Sequence, residues 1–261
     1  MFEPRALLRP TLIALVLLAT LPALAQEPEA APEPPEPTWE LKLGLSYVAT
    51  SGNSDTSSGG FDLEYTKEWE VWSLEAGANA LRAEEDNETT AERYGAFAHG
   101  SRQLTERLSL TAGLSLLEDR FTGVDLRTVA DLGLKQQWVD NETWTFATTA
   151  ALTWTREELV DDPANPDADT SDDSFGALFK LAGSWQLSEN ASATSKLTYY
   201  PNFDVSDDYR FDGEVGVQAA LTSAWALKVA YQLRYDNLPV PGFDTTDTTT
   251  TASLVLKLPK G

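Results

Sequence analysis

The chain has 261 residues, no cysteine, one histidine and a formal net charge of −22. That charge opposes a phosphate backbone, which excludes nucleic acid as a partner class. The absence of cysteine excludes a disulfide-stapled secreted fold and, with a single histidine, a structural zinc site.

Residues 1–25 read as a cleaved secretory signal. Arg5 and Arg9 form a basic n-region, "TLIALVLLATL" (Thr11 to Leu21) an apolar h-region, and Ala23–Ala25 a small-residue cleavage site. The apolar run is too short for a stable anchor. Residues 26–38 contain "EPEAAPEPPEP" (Glu27 to Pro37), whose prolines and glutamates keep the backbone extended and solvated, so a periplasmic linker is expected there. Residues 39–261 form the expected folded domain.

From Thr38 to Asp162 there is no proline, as in strands that are paired on both sides. In the first run, Trp39, Leu41, Leu43, Leu45 and Tyr47 alternate with Glu40, Lys42, Gly44 and Ser46, the period of a strand with two unlike faces. Similar runs follow over Thr56–Lys67, Val71–Leu81, Arg93–Leu104, Leu108–Glu118, Thr128–Trp138 and Trp144–Arg156. Five more cover Ser174–Leu187, Ala191–Tyr200, Tyr209–Leu221, Trp225–Tyr235 and Thr248–Leu258, which makes twelve. The connections alternate. Short ones (68–70, 105–107, 139–143, 188–190, 222–224) are interleaved with long polar ones (83–92, 119–127, 157–174, 201–208, 236–247). Short turns at one end and long loops at the other predict an all-β fold, an antiparallel transmembrane β-barrel of about twelve strands in the outer membrane. Its partners would be outer-membrane lipid and lipopolysaccharide, with the barrel-assembly machinery during biogenesis.

The tryptophans sort the same way. Trp39, Trp69, Trp72, Trp138, Trp144, Trp185 and Trp225 fall at short-turn ends. Trp154 falls toward the long loops, with Tyr47, Tyr94, Phe175, Tyr199, Tyr209, Phe211 and Tyr235. An indole at a lipid–water boundary keeps its ring in lipid and its N–H near water. Trp39, Trp72, Trp138, Trp144, Trp185 and Trp225 are therefore expected to form an aromatic girdle.

The opposite parity carries the candidate lumen lining: Glu40, Lys42, Asp62, Glu64, Arg93, His99, Asp131, Lys135, Lys180, Arg210, Lys228 and Arg234. Glu75, Lys196, Asp212, Glu214 and Lys257 share it. Both signs are present in similar number, consistent with a wall braced by ion pairs or with a weakly selective aqueous path. Twelve strands lie between small side-chain-filled barrels and open sixteen-strand porins, so a filled or narrow lumen is expected. His99 faces inward, and no serine–histidine–acid arrangement can be built from spacing, so no catalytic residue, cofactor or metal is expected. The acidic loop "DDPANPDADTSDD" lacks the glycine and terminal glutamate of an EF-hand, leaving at most loose divalent-cation bridging at the cell surface.

"SGNSDT" (Ser51–Thr56), "TTAERY" (Thr89–Tyr94), "LTERLSL" (Leu104–Leu110) and "EDRFTGVDLR" (Glu118–Arg127) resemble, in order and spacing, the family called domain of unknown function 481. These are YdiY-like, "salt-induced outer-membrane" proteins of Gram-negative bacteria. The resemblance implies an outer-membrane barrel and supplies no active site. Such barrels usually end in an aromatic residue, whereas this sequence ends Lys260–Gly261, so less efficient assembly is expected. The function expected is non-enzymatic, structural or passively pore-forming, with a salt or envelope-stress link drawn from the resemblance. The alternatives are a narrow channel for a small solute and, at lower weight, a lipid-modifying enzyme.

Overall fold

The structure, a computed structural model, describes residues 39–50, 56–86, 88–160 and 170–259. The expected signal and linker, residues 51–55, the acidic stretch 161–169 and the terminal Lys260–Gly261 lie outside the described residues.

Twelve antiparallel strands close into one barrel. They are β1 Trp39–Thr50, β2 Thr56–Glu68, β3 Trp72–Glu85, β4 Glu88–Gln103, β5 Leu108–Asp119 and β6 Val124–Asp140. The second half comprises β7 Trp144–Leu159, β8 Ser171–Ser188, β9 Ala191–Pro201, β10 Tyr209–Ala220, β11 Trp225–Asp236 and β12 Thr246–Pro259. Each strand pairs with its sequence neighbours, and β1 closes on β12. Closure satisfies the backbone within the wall, which hydrocarbon requires because it offers no hydrogen bonds of its own.

Register decides which face each residue takes. Leu132 and Leu152 are direct partners on β6 and β7 and point outward, 58% and 68% exposed. Leu114, Leu116, Phe179, Leu181, Val215, Val217, Leu227 and Val229 share that outer face. In water so wide an apolar surface would aggregate; against acyl chains it is the solvated face. The chain is a membrane-spanning barrel of the outer-membrane kind.

Three of the short turns use one device. The side-chain oxygen of a turn residue accepts two backbone N–H groups that would otherwise lack partners. Asn141 Oδ1 accepts from Thr143 and Trp144 (2.9 and 3.0 Å), and Thr222 Oγ1 from Ala224 and Trp225 (3.2 and 3.0 Å). Thr105 Oγ1 does the same for Arg107 and Leu108. Each turn thus delivers the first residue of the next strand in a fixed orientation, and in two of the three that residue is tryptophan. Trp144 is registered against Trp185, and the Trp138 indole N–H donates to Thr148 Oγ1 at 2.9 Å. Trp39 and Trp72 begin β1 and β3, as Trp225 begins β11. At the other strand ends Tyr199 stacks on Phe211 (4.6 Å), with Tyr209 and Tyr235 packed edge-on and tilted beside them.

Two connections differ from expectation. The polar stretch 83–92 is mostly strand, since β3 runs to Glu85 and β4 starts at Glu88. The stretch 119–127 contains a single 3₁₀ turn, Arg120–Thr122, before β6 begins at Val124. Both were expected to be loops because they lack apolar alternation. Ladder hydrogen bonding does not require it once a strand has left the lipid and both faces meet water or other protein groups.

Candidate functional site: the barrel lumen

The lumen is organised in layers. Near the long-loop ends four arginines converge from β4, β6, β10 and β11. Arg93 Nε donates to Asp119 (2.5 Å), and Arg234 reaches the same carboxylate at 3.4 Å. Glu157 accepts from Arg127 and, at 3.1 Å, from Arg210. Arg127 also lies 3.7 Å from Asp236. The ring order makes these contacts informative. β11 and β5 lie half-way round the barrel from each other, so Arg234–Asp119 ties opposite walls. Arg127 on β6 and Asp236 on β11 do likewise. At this level the walls are bridged by side chains. Asp119 is 2% exposed.

A loop closes over that layer. The segment 237–245, between β11 and β12, reaches the turn between β5 and β6. Gly123 has φ +82°, and a Cβ there would lie 2.8 Å from the Phe243 ring and 2.9 Å from Val240. Glycine is required at Gly123 for the left-handed backbone and for that contact. Val124, beside it, is 2% exposed. A cavity of about 100 Å³ remains between the loop and the arginines.

Below lie two larger cavities, of about 480 and 290 Å³, whose walls share Asn79, Phe97, Lys196 and Arg234. Of the residues expected in the lining, Lys42, Asp62, Glu64, Arg93, Lys228 and Arg234 line the larger one. His99, Lys180, Arg210 and Arg234 line the smaller. Glu40 lies 3.0 Å from Lys42, which also pairs with Glu64 at 2.7 Å. Lys228 and Gln232 both donate to Glu214 (3.0 and 2.9 Å). Lys135 stands in register between Ser109 and Thr149. His99 Nε2 is 3.5 Å from Asp131, and the two close over Gly113, where a Cβ would collide with both. Among the described residues no buried side-chain nitrogen or oxygen lacks a partner, and no group of three or more metal-ligating side chains is assembled.

The loop-end layer contains residues that the parity reading did not reach: Asp119, Arg127, Glu157, Asp236 and Asp247. Each continues the inward parity of its strand one residue beyond the run of alternation in the sequence. Thr153, Thr155 and Glu157 on β7, and Asp131, Val129 and Arg127 on β6, form unbroken series. Extending each run by one residue finds them. The role of loop 237–245 had no such signal, because its contact is with a turn more than a hundred positions away.

The family model described as "Protein of unknown function, DUF481" matches residues 43–258. The "Uncharacterized protein YdiY" of Escherichia coli (strain K12) is 25% identical over 234 residues, covering 87% of this chain and 85% of its own length. Among solved structures, an outer-membrane channel from Pseudomonas putida F1 aligns over 90% of this chain and 100% of its own, at 15% identity and TM-score 0.48. The NanC porin aligns over 85% and 99%, at 11% identity and TM-score 0.47.

Proposed function

The chain belongs to the DUF481 family, and on that footing we propose that it is a non-enzymatic outer-membrane barrel with a narrow lumen, structural or passively pore-forming. The observation that carries this reading is the pairing of opposite walls, Arg234 with Asp119 and Arg127 with Asp236, beneath a loop that reaches across the mouth. A barrel cross-linked in this way is braced against collapse and passes little. His99 points into the lumen, where a lipid ester cannot reach it, which argues against lipid chemistry. A role in salt or envelope adaptation is carried by the family resemblance, and the lipid and lipopolysaccharide around the wall are its expected partners.

The second reading, a narrow channel for a small solute, is favoured by the shared walls of the 480 and 290 Å³ cavities. Planar bilayers separate the two. The intact protein is expected to show rare or small conductance steps, and deletion of Val240–Phe243 to make them larger and more frequent. Large steady steps from the intact protein would favour the channel. Hydrolysis of phospholipid by the purified barrel would overturn the non-enzymatic reading.

The same proposal sets an orientation, with short turns in the periplasm and the β7–β8 connection outside the cell. A cysteine at Thr170 is expected to react with a membrane-impermeant maleimide on intact cells, and one at Asn141 to react only after the outer membrane is opened. The opposite pattern would invert the topology.

A further inference from the structure

The 290 Å³ cavity beneath the arginine layer has an uneven charge. Arg127, Lys180, Lys196, Arg210 and Arg234 line it, against the carboxylates of Glu75 and Asp212. The arginines are committed to Glu157 and Asp119. The two lysines make no salt bridge among the described residues: Lys196 stands opposite Glu214 in the β9–β10 register, but that carboxylate is held by Lys228. Lys196 is exposed to the lumen and Lys180 half-buried, where it meets the like charges of Lys196 and Lys135 and the opposite charges of Glu75 and Asp131. The cavity wall thus carries five cationic side chains against two carboxylates, with its two lysines outside any salt bridge. An anion between the two ammonium groups would accept charge-assisted hydrogen bonds from both and offset their like charge.

We propose that this cavity is a binding site for a small oxyanion, either phosphate or the carboxylate of a small organic acid, held by Lys180 and Lys196. Tyr200 and His99 line the same cavity and bring further polar groups to it. The volume lies at the lower edge of the ~300–1,000 Å³ usual for ligand pockets, which admits an anion of a few carbons and excludes an oligomer. Lysine is a flexible point charge, suited to a ligand that arrives hydrated and leaves again. The site rests on the narrow-lumen reading only in needing water to reach the cavity.

Isothermal titration calorimetry on the full folded chain in detergent tests it, with sodium phosphate and sodium acetate as ligands at fixed ionic strength and sodium chloride as the control. Saturable binding of one or both anions is expected, and which of them binds identifies the source. The double variant Lys180→Gln, Lys196→Gln is expected to bind about ten-fold more weakly or worse, the effect of losing charge-assisted hydrogen bonds. Lys196→Gln alone, which removes no ion pair, is expected to fold normally and to show part of that loss. Arg102→Gln carries the same charge change on the outer face, where Arg102 stacks on Trp72, and should leave binding intact. Failure of both anions to saturate the unaltered protein, or equal affinities in the lysine variants, would overturn the site. Because the readout is binding in detergent, a silent bilayer leaves it standing, and conductance without binding defeats the site while sparing the pore.

Discussion

Leu114→Arg is expected to lower the folded fraction in lipid vesicles steeply, while Ser115→Gln, one residue along β5, leaves it nearly unchanged. Leu114 is 47% exposed on the outer face, and Ser115 lines the 290 Å³ cavity. Both lie mid-strand in the same ladder, and they face different solvents. An arginine facing lipid near the bilayer midplane costs about 2–4 kcal/mol, a large share of the roughly 5–15 kcal/mol that holds a typical domain together. A polar side chain in the cavity meets water and polar neighbours. Heat-modifiable gel migration after refolding reads both variants. Equal losses, or the larger loss at Ser115, would overturn this assignment of the two faces.

This contrast depends on what the sequence makes plain. Period-two alternation in runs such as Leu108–Glu118 fixes which side chains share a face, and short turns such as Asn141–Thr143 fix where one strand hands over to the next. Strand number, closure and the inward set around Lys42, Glu64, Lys180 and Lys228 follow from those two signals. The level of Arg127 and Glu157 does not, because beyond the lipid the outward residues turn polar and the alternation fades although the ladder continues. The contact of Phe243 with Gly123 is invisible for another reason: it pairs two loops across the lumen, with no periodicity to mark either.

Asp119→Ala is expected to cost about 3–5 kcal/mol in unfolding free energy, the penalty typical of removing one partner of a buried ion pair. Among the described residues Asp119 is the one carboxylate in salt-bridge contact with both Arg93 and Arg234, at 2.5 and 3.4 Å, and its side chain is 3% exposed. Without it two guanidiniums in the closed end of the lumen lose their salt-bridge partner and are left with the more distant charges of Asp212 and Asp247. Arg156→Ala, which breaks the half-exposed pair with Glu158, is expected to cost less than about 1 kcal/mol. Urea unfolding in detergent micelles would measure both. The Asp119 variant should also conduct more readily in bilayers, since the tie between β5 and β11 is gone. An Asp119→Ala barrel as stable as the unaltered one would mean that the arginine layer is solvated and braces nothing.

The joint between β1 and β12 governs how the chain reaches its folded state. These strands are the most distant in sequence of any pair in the wall, so their meeting carries the largest loss of chain entropy and is expected to come last and slowest. Until then both present open edges, the condition under which strands mispair. The joint is keyed against that error. Leu41 faces Leu258, Leu43 faces Leu256 and Leu45 faces Leu254 on the lipid side, with Lys42 opposite Lys257 inside. A slip of one residue would drive Lys257 into hydrocarbon and turn the leucines to water, so a misregistered closure is unstable enough to reopen. The two lysines are like charges at one rung, and Glu40 and Glu64 offset them by gathering on Lys42. Final zipping is therefore expected to be favoured once β2 has delivered Glu64, with the N-terminal hairpin formed ahead of the seam.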